Sequence, residues 1–576
     1  MTILLFLGVV VQGFINFPSG YKYNGSLLFW SSHGHDGLWH VSLLEEIKKS
    51  LPLENPLLVG NKLYNYHYLS DVIFGEFGRI FSFFASLDLY FRFFPVVLSL
   101  LIGLGSYNLV KRWKRNEKTA LWAMFFTYFA GSFGYVVTFI NNRVFFAGET
   151  IFWASQNNSI LGNPPHATAF ALFLATSTAL MIYLDNRKSV WLLIALWFSF
   201  LLGAFKVSAG LIVIAGLVSA GTIDWIVSKR KHILFTGLAV GFANAVVVKL
   251  MTQGITSFLL FEPWWFVRTM VVSPGRLNWI DLELRRQHYA SLGTIKGWLR
   301  VIQVETQALF LFVVGNLGMK ALGLIQIGKN LFTQFKKTLR DPFEIYLLST
   351  ASLAFLVPML FVQKGITFNN IQFLQYFMLI IGFYAAIFVA NVVEKIKSKS
   401  AKVFLFLALV FFATPTAIGN LFEFYGSGKT ALAKITEEEL AALEFVRNTT
   451  PVDSILLTVP YDGNLRYDYE DQPQPWPIYV WYSTSYVPAL ASRRTYLTSE
   501  EQIDITGYEF EERRENMKKF FTEGDLEWNR EFLTKNGIDY IYIAKGEREK
   551  PLDEDGNIVS KFFENDSVII YKNESN

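Results

Sequence analysis

Residues 88–115 read DLYFRFFPVVLSLLIGLGSYNLVKRWKR. The run 88–110 is long and apolar enough to cross a hydrocarbon layer of roughly 30 Å, and it stops against Lys111-Arg112-Trp113-Lys114-Arg115. A basic cluster at the end of such a run belongs on the cytoplasmic side. One segment therefore supplies both a membrane crossing and its direction.

Runs of the same kind recur at 2–17, 118–138, 166–184, 189–205, 207–227, 233–252, 303–327, 343–362, 367–392 and 402–420. With the first they make about eleven spans. Arg187-Lys188, Lys229-Arg230-Lys231, the Lys329 to Arg340 loop and Lys395-Ile396-Lys397-Ser398-Lys399 fall in alternate loops. That pattern puts the N-terminus in the cytoplasm and leaves 18–87, 139–165, 253–302, 363–366 and the C-terminal region outside. The first run lacks a basic leader and a small-residue cleavage site, so it reads as a retained span with only Met1 before it. Composition agrees with a polytopic α-helical membrane protein in a bacterial or archaeal plasma membrane: the 576 residues are 52% hydrophobic and 17% aromatic. A net charge of +4 is too small for nucleic acid, and the absence of cysteine removes disulfides, thiolate nucleophiles and Cys-ligated zinc.

From about 430 the chain turns polar. Thr436-x-x-Glu439 predicts a capping box opening a helix through Val446. Strands are expected at Ser454–Val459, Ile478–Tyr482, Asp539–Ile543 and Ser567–Tyr571, with helices near 509–522 and 526–536. The expected organisation is a transmembrane domain, 1–429, with surface helices in a first external loop, 18–87, and a small external α/β domain, 430–576. No internal repeat stands out, which speaks against an inverted-repeat transporter.

The first external loop holds His33, His35, His40 and His67, four of the chain's seven histidines, around Asp36. A carboxylate beside a bilayer is costly unless it lines an aqueous cavity or a site. Its plain reading is the N-cap of a helix that starts at Gly37, ends near Leu51-Pro52 and lies along the membrane surface. The functional reading is a general base. His33 and His35 are the only candidates for a divalent metal ion, and His-x-His spacing by itself carries little weight against solvated loop histidines. Asn61 to Tyr68 interleaves aromatics with polar groups, as an interfacial belt or a sugar-binding rim would, and His67 stands out within it.

Further polar groups fall in the later external loops. Asn157-Asn158 and Gly162 to His166 lead into the fourth span, and Lys206 interrupts the apolar stretch between the fifth and sixth. Lysine there snorkels or meets a phosphate as a compact point charge. Arg268, Arg276, Arg285 and Arg286 are scattered over 253–302, where a solvated face is the plain alternative. Lys364, Asn369, Gln372 and Tyr376 begin the tenth span, the last three on one helical face. One carboxylate with histidines and cations suits sugar transfer from a lipid-linked phosphate. The carboxylate takes the proton of the attacking hydroxyl and cations stabilise the leaving phosphate. His35, His40, His67, His166, Lys206, Arg268, Arg276, Lys364, Asn369 and Gln372 are the expected substrate- and phosphate-binding set.

His35-Asp36-Gly37-Leu38-Trp39-His40, followed by Glu54-Asn55-Pro56 and Tyr66-His67-Tyr68, resembles the first-loop pattern of the GT-C superfamily of integral-membrane glycosyltransferases. Pro488 to Leu497 and Asn536 to Ile543 are similar to the terminal domain of its poorly characterised bacterial and archaeal members. The architecture is similar to that of protein mannosyltransferases and aminoarabinose transferase-like enzymes. The resemblance implies a polyprenyl-phosphate sugar donor, a glycan, lipid or protein acceptor, and Asp36 as base. Some members carry a second acid beside the first; Gly37 stands there in this chain. The readings from other classes are a transporter or flippase of a lipid-linked saccharide and a non-catalytic envelope-assembly protein.

Overall fold

The computed structural model describes the chain except residues 50, 154–159, 252–258, 365, 425–428, 523, 548–551, 553–557 and 575–576. Contacts divide it into two compact units, Met1–Ile15 with Val96–Met251 and Ser257–Gly428, and Asn16–Pro95 with Thr252–Thr256 and Lys429–Asn576.

The first unit is helical. Among the described residues of the chain, seven helices are long and apolar enough to cross a membrane, or nine if each of two bent pairs is one span. The expected runs at 2–17 and 189–205 form the shorter apolar helices Thr2–Gly13 and Ser189–Phe205. The bends fall where helical bonding fails. Glu117–Phe129 and Gly134–Asn142 meet at 43°, and Lys399–Ala413 meets a helix opened by Pro415 at 45°. Proline suits a first helical turn and cannot donate to a preceding one. The freed backbone groups find partners on neighbouring helices, as they must away from water. Gly131 N–H donates to the Ala413 carbonyl at 3.0 Å, Phe133 N–H to that of Gly315 at 2.8 Å, and the Thr416 hydroxyl to that of Ser132 at 3.1 Å.

The second unit contains two sheets. In one, β1 (Tyr21–Tyr23), β2 (Ser26–Phe29), β3 (Ala433–Ile435) and β5 (Trp476–Pro477) lie in the order β1-β2-β3-β5. In the other, β4 (Ile455–Thr458), β6 (Arg494–Thr495), β7 (Tyr540–Ala544), β8 (Val559–Glu564) and β9 (Val568–Asn573) lie in the order β8-β9-β7-β4-β6. The antiparallel pairing Leu27↔Ile435 ties the first loop to the C-terminal region. Residues 16–95, grouped with the transmembrane domain by hydropathy, therefore cluster with 429–576. The Thr436–Glu439 capping box is present, with reciprocal bonds of 3.2 and 2.9 Å.

Two expectations change. The strand at Ile478–Tyr482 is instead one helical turn, Ile478–Trp481. Pro477 ends the ladder there because it has no N–H to offer, and Tyr482 N–H closes the turn on the Ile478 carbonyl at 3.2 Å. The helix after Asp36, α1 (Asp36–Lys49), is not a surface helix: every residue from Gly37 to Ile47 is buried. Trp39, Leu43 and Ile47 recur at four-residue spacing and face one apolar cluster, while Leu38 and Val41 face a second. Each such side chain contributes about 1.5–3 kcal/mol when fully buried. The charged end is buried too, because Glu45 bonds Arg447 at 2.7 Å and Glu46 bonds Arg494 at 2.5 Å.

Candidate functional site

Asp36 opens α1 with its side chain 52% exposed, the one exposed residue in the helix. Its carboxylate bonds the His35 ring, Oδ1 to Nδ1 at 3.0 Å, rather than a backbone N–H of the first turn. The capping role expected for Asp36 is therefore not the one it plays. His35 is nearly buried, and its Nε2 lies 4.0 Å from Glu501 Oε2. Glu501 accepts a hydrogen bond from the Tyr482 hydroxyl, and the Tyr482 ring packs edge-on against His35 at 4.8 Å between centroids. A second carboxylate, Glu501, from a segment remote in sequence, thus stands at the other ring nitrogen of His35. Gly37 is not a lost acid. A Cβ at 37 would lie 2.5 Å from Phe91 Cζ, so no side chain fits.

One turn on, His40 is buried. Its Nδ1 meets Asp71 Oδ1 at 2.7 Å and its Nε2 meets the Tyr66 hydroxyl at 3.2 Å. The ring stacks on Tyr90, and His67 stacks on Tyr66 at 4.8 Å. Asp71, on α2 (Leu69–Ile80), is fully buried. Both ring nitrogens of His40 are therefore engaged, one by Asp71 and the other by Tyr66. His40, expected to bind substrate or phosphate, is 2% exposed and bonded at both ring nitrogens.

His33 is buried, bonded through Nδ1 to the Ser19 hydroxyl at 2.7 Å and packed against Phe91. Burial pushes its imidazole down to about 4, with the Asp36 charge opposing. For Asp36 burial acts to raise the carboxyl. The His35 bond and the charges of His35, His40 and His33 outweigh it and hold the carboxyl below its usual value. At neutral pH the group is an ionised, accessible acceptor of protons. Nδ1 of His33 and of His35 is already engaged, and among the described residues no group of three His, Asp or Glu is arranged to hold a metal ion.

The remaining expected residues lie in the membrane unit. His166, in the first turn of Pro164–Asn186, is fully buried and bonds Gln375 through Nε2. Lys206 is 6% exposed, in extended backbone between Ser189–Phe205 and Val207–Ser228, within electrostatic reach of His166. Arg268 pairs with Glu305 at 3.5 Å, and Arg276 lies 3.3 Å over the Trp153 ring and donates to the Thr150 carbonyl. Arg285 pairs with Asp281 at 3.2 Å and Arg286 with Glu283 at 2.6 Å, the plain reading of these basic residues. Asn369 donates to Gln363 and accepts from Gln372, at 2.8 and 2.9 Å, while Lys364 is exposed. Asn157 and Asn158 lie outside the described residues. Sequence reasoning missed Asp71 and Glu501. Asp71 had a signal, an acid in the first turn of a mostly apolar helix; Glu501 had none within reach of Asp36.

No family model matches the chain, and neither does any curated protein. Among solved structures, the Archaeoglobus fulgidus oligosaccharyltransferase in complex with Zn and sulfate aligns with 94% of this chain and 67% of its own, at TM-score 0.50 and 16% identity. The Archaeoglobus fulgidus oligosaccharyltransferase AglB in complex with an inhibitory peptide and a dolichol-phosphate aligns with 94% of this chain and 69% of its own, at TM-score 0.47 and 16% identity. ArnT from Cupriavidus metallidurans bound to undecaprenyl phosphate aligns with 99% and 97%, at TM-score 0.48 and 10% identity. At such identities the first likeness shows the fold alone: the chain shares the fold of that oligosaccharyltransferase.

Proposed function

We propose that the chain is a membrane glycosyltransferase that moves a sugar from a polyprenyl-phosphate-linked donor to an acceptor hydroxyl on the external face of a plasma membrane. The observation that carries this reading is Asp36: ionised, half-exposed and steered by His35, in a chain with a glycosyltransferase fold. The Asp36 carboxylate takes the proton of the acceptor hydroxyl as its oxygen bonds to the anomeric carbon. The bond from that carbon to the phosphate oxygen breaks, and polyprenyl phosphate leaves with the electron pair. His35 orients the carboxylate, and the buried Asp71–His40–Tyr66 chain fixes the turn beneath it. Lys206, Lys364 and His166 in the membrane unit are the proposed holders of the donor's phosphate. The acceptor is a glycan, a lipid or a protein.

The test is transfer of radiolabelled sugar from a panel of polyprenyl-phosphate donors by the full chain in lipid nanodiscs. Label passing to endogenous envelope acceptors supports the reading, and Lys206→Met should slow it. A panel from which the wild-type chain transfers no label overturns it.

A further inference from the structure

The helix Leu322–Thr338 in the first unit changes character part-way along. Its first half packs into the bundle, where Gly323 leaves no room for a side chain against the Ile381 carbonyl and Gln326 accepts from Asn391 at 3.4 Å. Asn330 donates to Glu344 at 2.7 Å, and Lys114 meets the same carboxylate at 3.7 Å. Glu344 lies in the first turn of one span and Lys114 ends another, so this polar layer marks the level at which the spans stop. Past it, all seven residues from Leu331 to Lys337 are exposed. The backbone leaves helical geometry at Gln334 (φ −133°, ψ 27°), so the last turn runs out of line with the packed half.

The exposed stretch carries two chemistries side by side. Leu331, Phe332 and Phe335 are 39%, 92% and 54% exposed, at the level where the hydrocarbon layer gives way to headgroups. Around them stand Lys329, Lys336, Lys337 and Arg340, all exposed, with no acid between 329 and 340. Asp341 follows, and its carboxylate accepts from the Phe343 and Glu344 N–H groups as the cap of the next helix. Lys337 lies within electrostatic reach of Lys114, another cation. Other basic loops at span ends are partly neutralised: Arg112 and Arg115 meet Asp185 at 3.4 and 3.7 Å, and Arg230 meets Asp224 at 2.7 Å. Among the described residues, none of the four cations of 329–340 has an ion-pair partner.

We propose that residues 329–340 form a binding site for anionic phospholipid in the leaflet that they face. Phe332 and Phe335 enter the boundary of the acyl layer, and the lysines with Arg340 gather phosphodiester headgroups beside them. The charge complementarity selects anionic over zwitterionic lipid. The exposed rings select a lipid over a free anion, because they need an apolar phase next to the charges. Their place at the end of the spans puts that phase within reach. The site is independent of the transferase reading.

Native mass spectrometry of the full chain in detergent, titrated with phosphatidylglycerol and with phosphatidylcholine, tests it. The first phosphatidylglycerol should bind at least fivefold more tightly, and inorganic phosphate in large excess should not displace it. Lys336→Gln with Lys337→Gln should bring the preference below twofold, whereas Lys397→Gln with Lys399→Gln, the same charge change in another basic loop, should leave it intact. Equal affinity for the two lipids overturns the proposal, and so does displacement by inorganic phosphate. An equal loss in both double variants makes the attraction diffuse and overturns the site. The chain has no cysteine, so Leu331→Cys takes a single spin label. In nanodiscs containing phosphatidylglycerol that label should be more accessible to oxygen than to an aqueous nickel complex. The reverse would leave the phenylalanines to a protein partner and overturn the lipid assignment.

Discussion

Helix α1 carries acids in two opposite settings. Glu45 and Glu46, with side chains 4% and 1% exposed, are each held by an arginine and a lysine. Asp36, three turns earlier on the same helix, is 52% exposed and bonds a single imidazole. Buried charges persist only when paired and hydrogen-bonded, and the glutamates meet that demand in full. Their partners come from the C-terminal region, so they bind the first loop to it. Asp36 is equipped differently, with its charge favoured by the surrounding imidazoles and its second oxygen left to solvent. One end of the helix is locked by paired charges, and the other carries the half-exposed carboxylate that the proposed function uses as a base.

The largest effect should come from breaking the locked end. Glu46→Gln leaves Lys49 without its acid and Arg494 with Glu54 alone, and should cost about 3 kcal/mol of stability, the low end for breaking a buried pair, read as a lowered Tm of the full chain in detergent. A loss near that of a surface pair, about 0–1 kcal/mol, would erase the contrast drawn here.

Next is acidification. The unfolded chain protonates His33 near 6.5 and the folded chain near 4. Stability from this group is therefore intact above pH 6.5, falls as pH drops toward 4 and is flat below. At 1.36 kcal/mol per pH unit the decline is about 3 kcal/mol. His33→Gln should flatten Tm against pH over that window, and an unchanged slope would assign the effect to other groups. Glu45 and Asp36, both held below the usual carboxylate range, add their own losses at still lower pH.

Asp71→Asn weakens the bond that orients His40 and should cost about 1.5–3 kcal/mol of stability. A Tm equal to wild type would remove the buried chain as a support. The smallest expected change is in His35→Gln, which keeps Asp36 but removes its imidazole donor. The Asp36 carboxyl then rises, the acid limb of the pH–rate profile shifts to higher pH, and the rate at neutral pH falls about tenfold, or about 1.4 kcal/mol. A shift to lower pH would contradict the assigned role of His35.

The spans and the capping box were legible because each depends on neighbours in sequence: hydropathy runs, and Thr436 with Glu439. Asp36 was legible for the same reason, since a carboxylate beside an apolar run is anomalous wherever it sits. What escaped was long-range. The burial of α1 follows from the pairing of Ser26–Phe29 with Ala433–Ile435 and from Arg447 and Arg494, none of which the helix's own pattern announces. The helix read as lying along the membrane surface because the partners of its charged residues lie more than four hundred residues away. Ile478–Tyr482 looked like a strand because β-branched and aromatic residues favour one, but Pro477 ended the ladder first. Histidines predicted to hold ligands turned out to be bonded to Asp71 and Ser19.

The central claim is that Asp36 is a base and not a structural acid, and comparison of Asp36→Asn with wild type tests it most directly. Sugar transfer by the full chain in nanodiscs should fall by about 10²–10⁴-fold, while Tm stays within the range of a surface substitution, about 0.5 kcal/mol. Transfer at the wild-type rate, or a Tm loss as large as that of Glu46→Gln, would contradict the account.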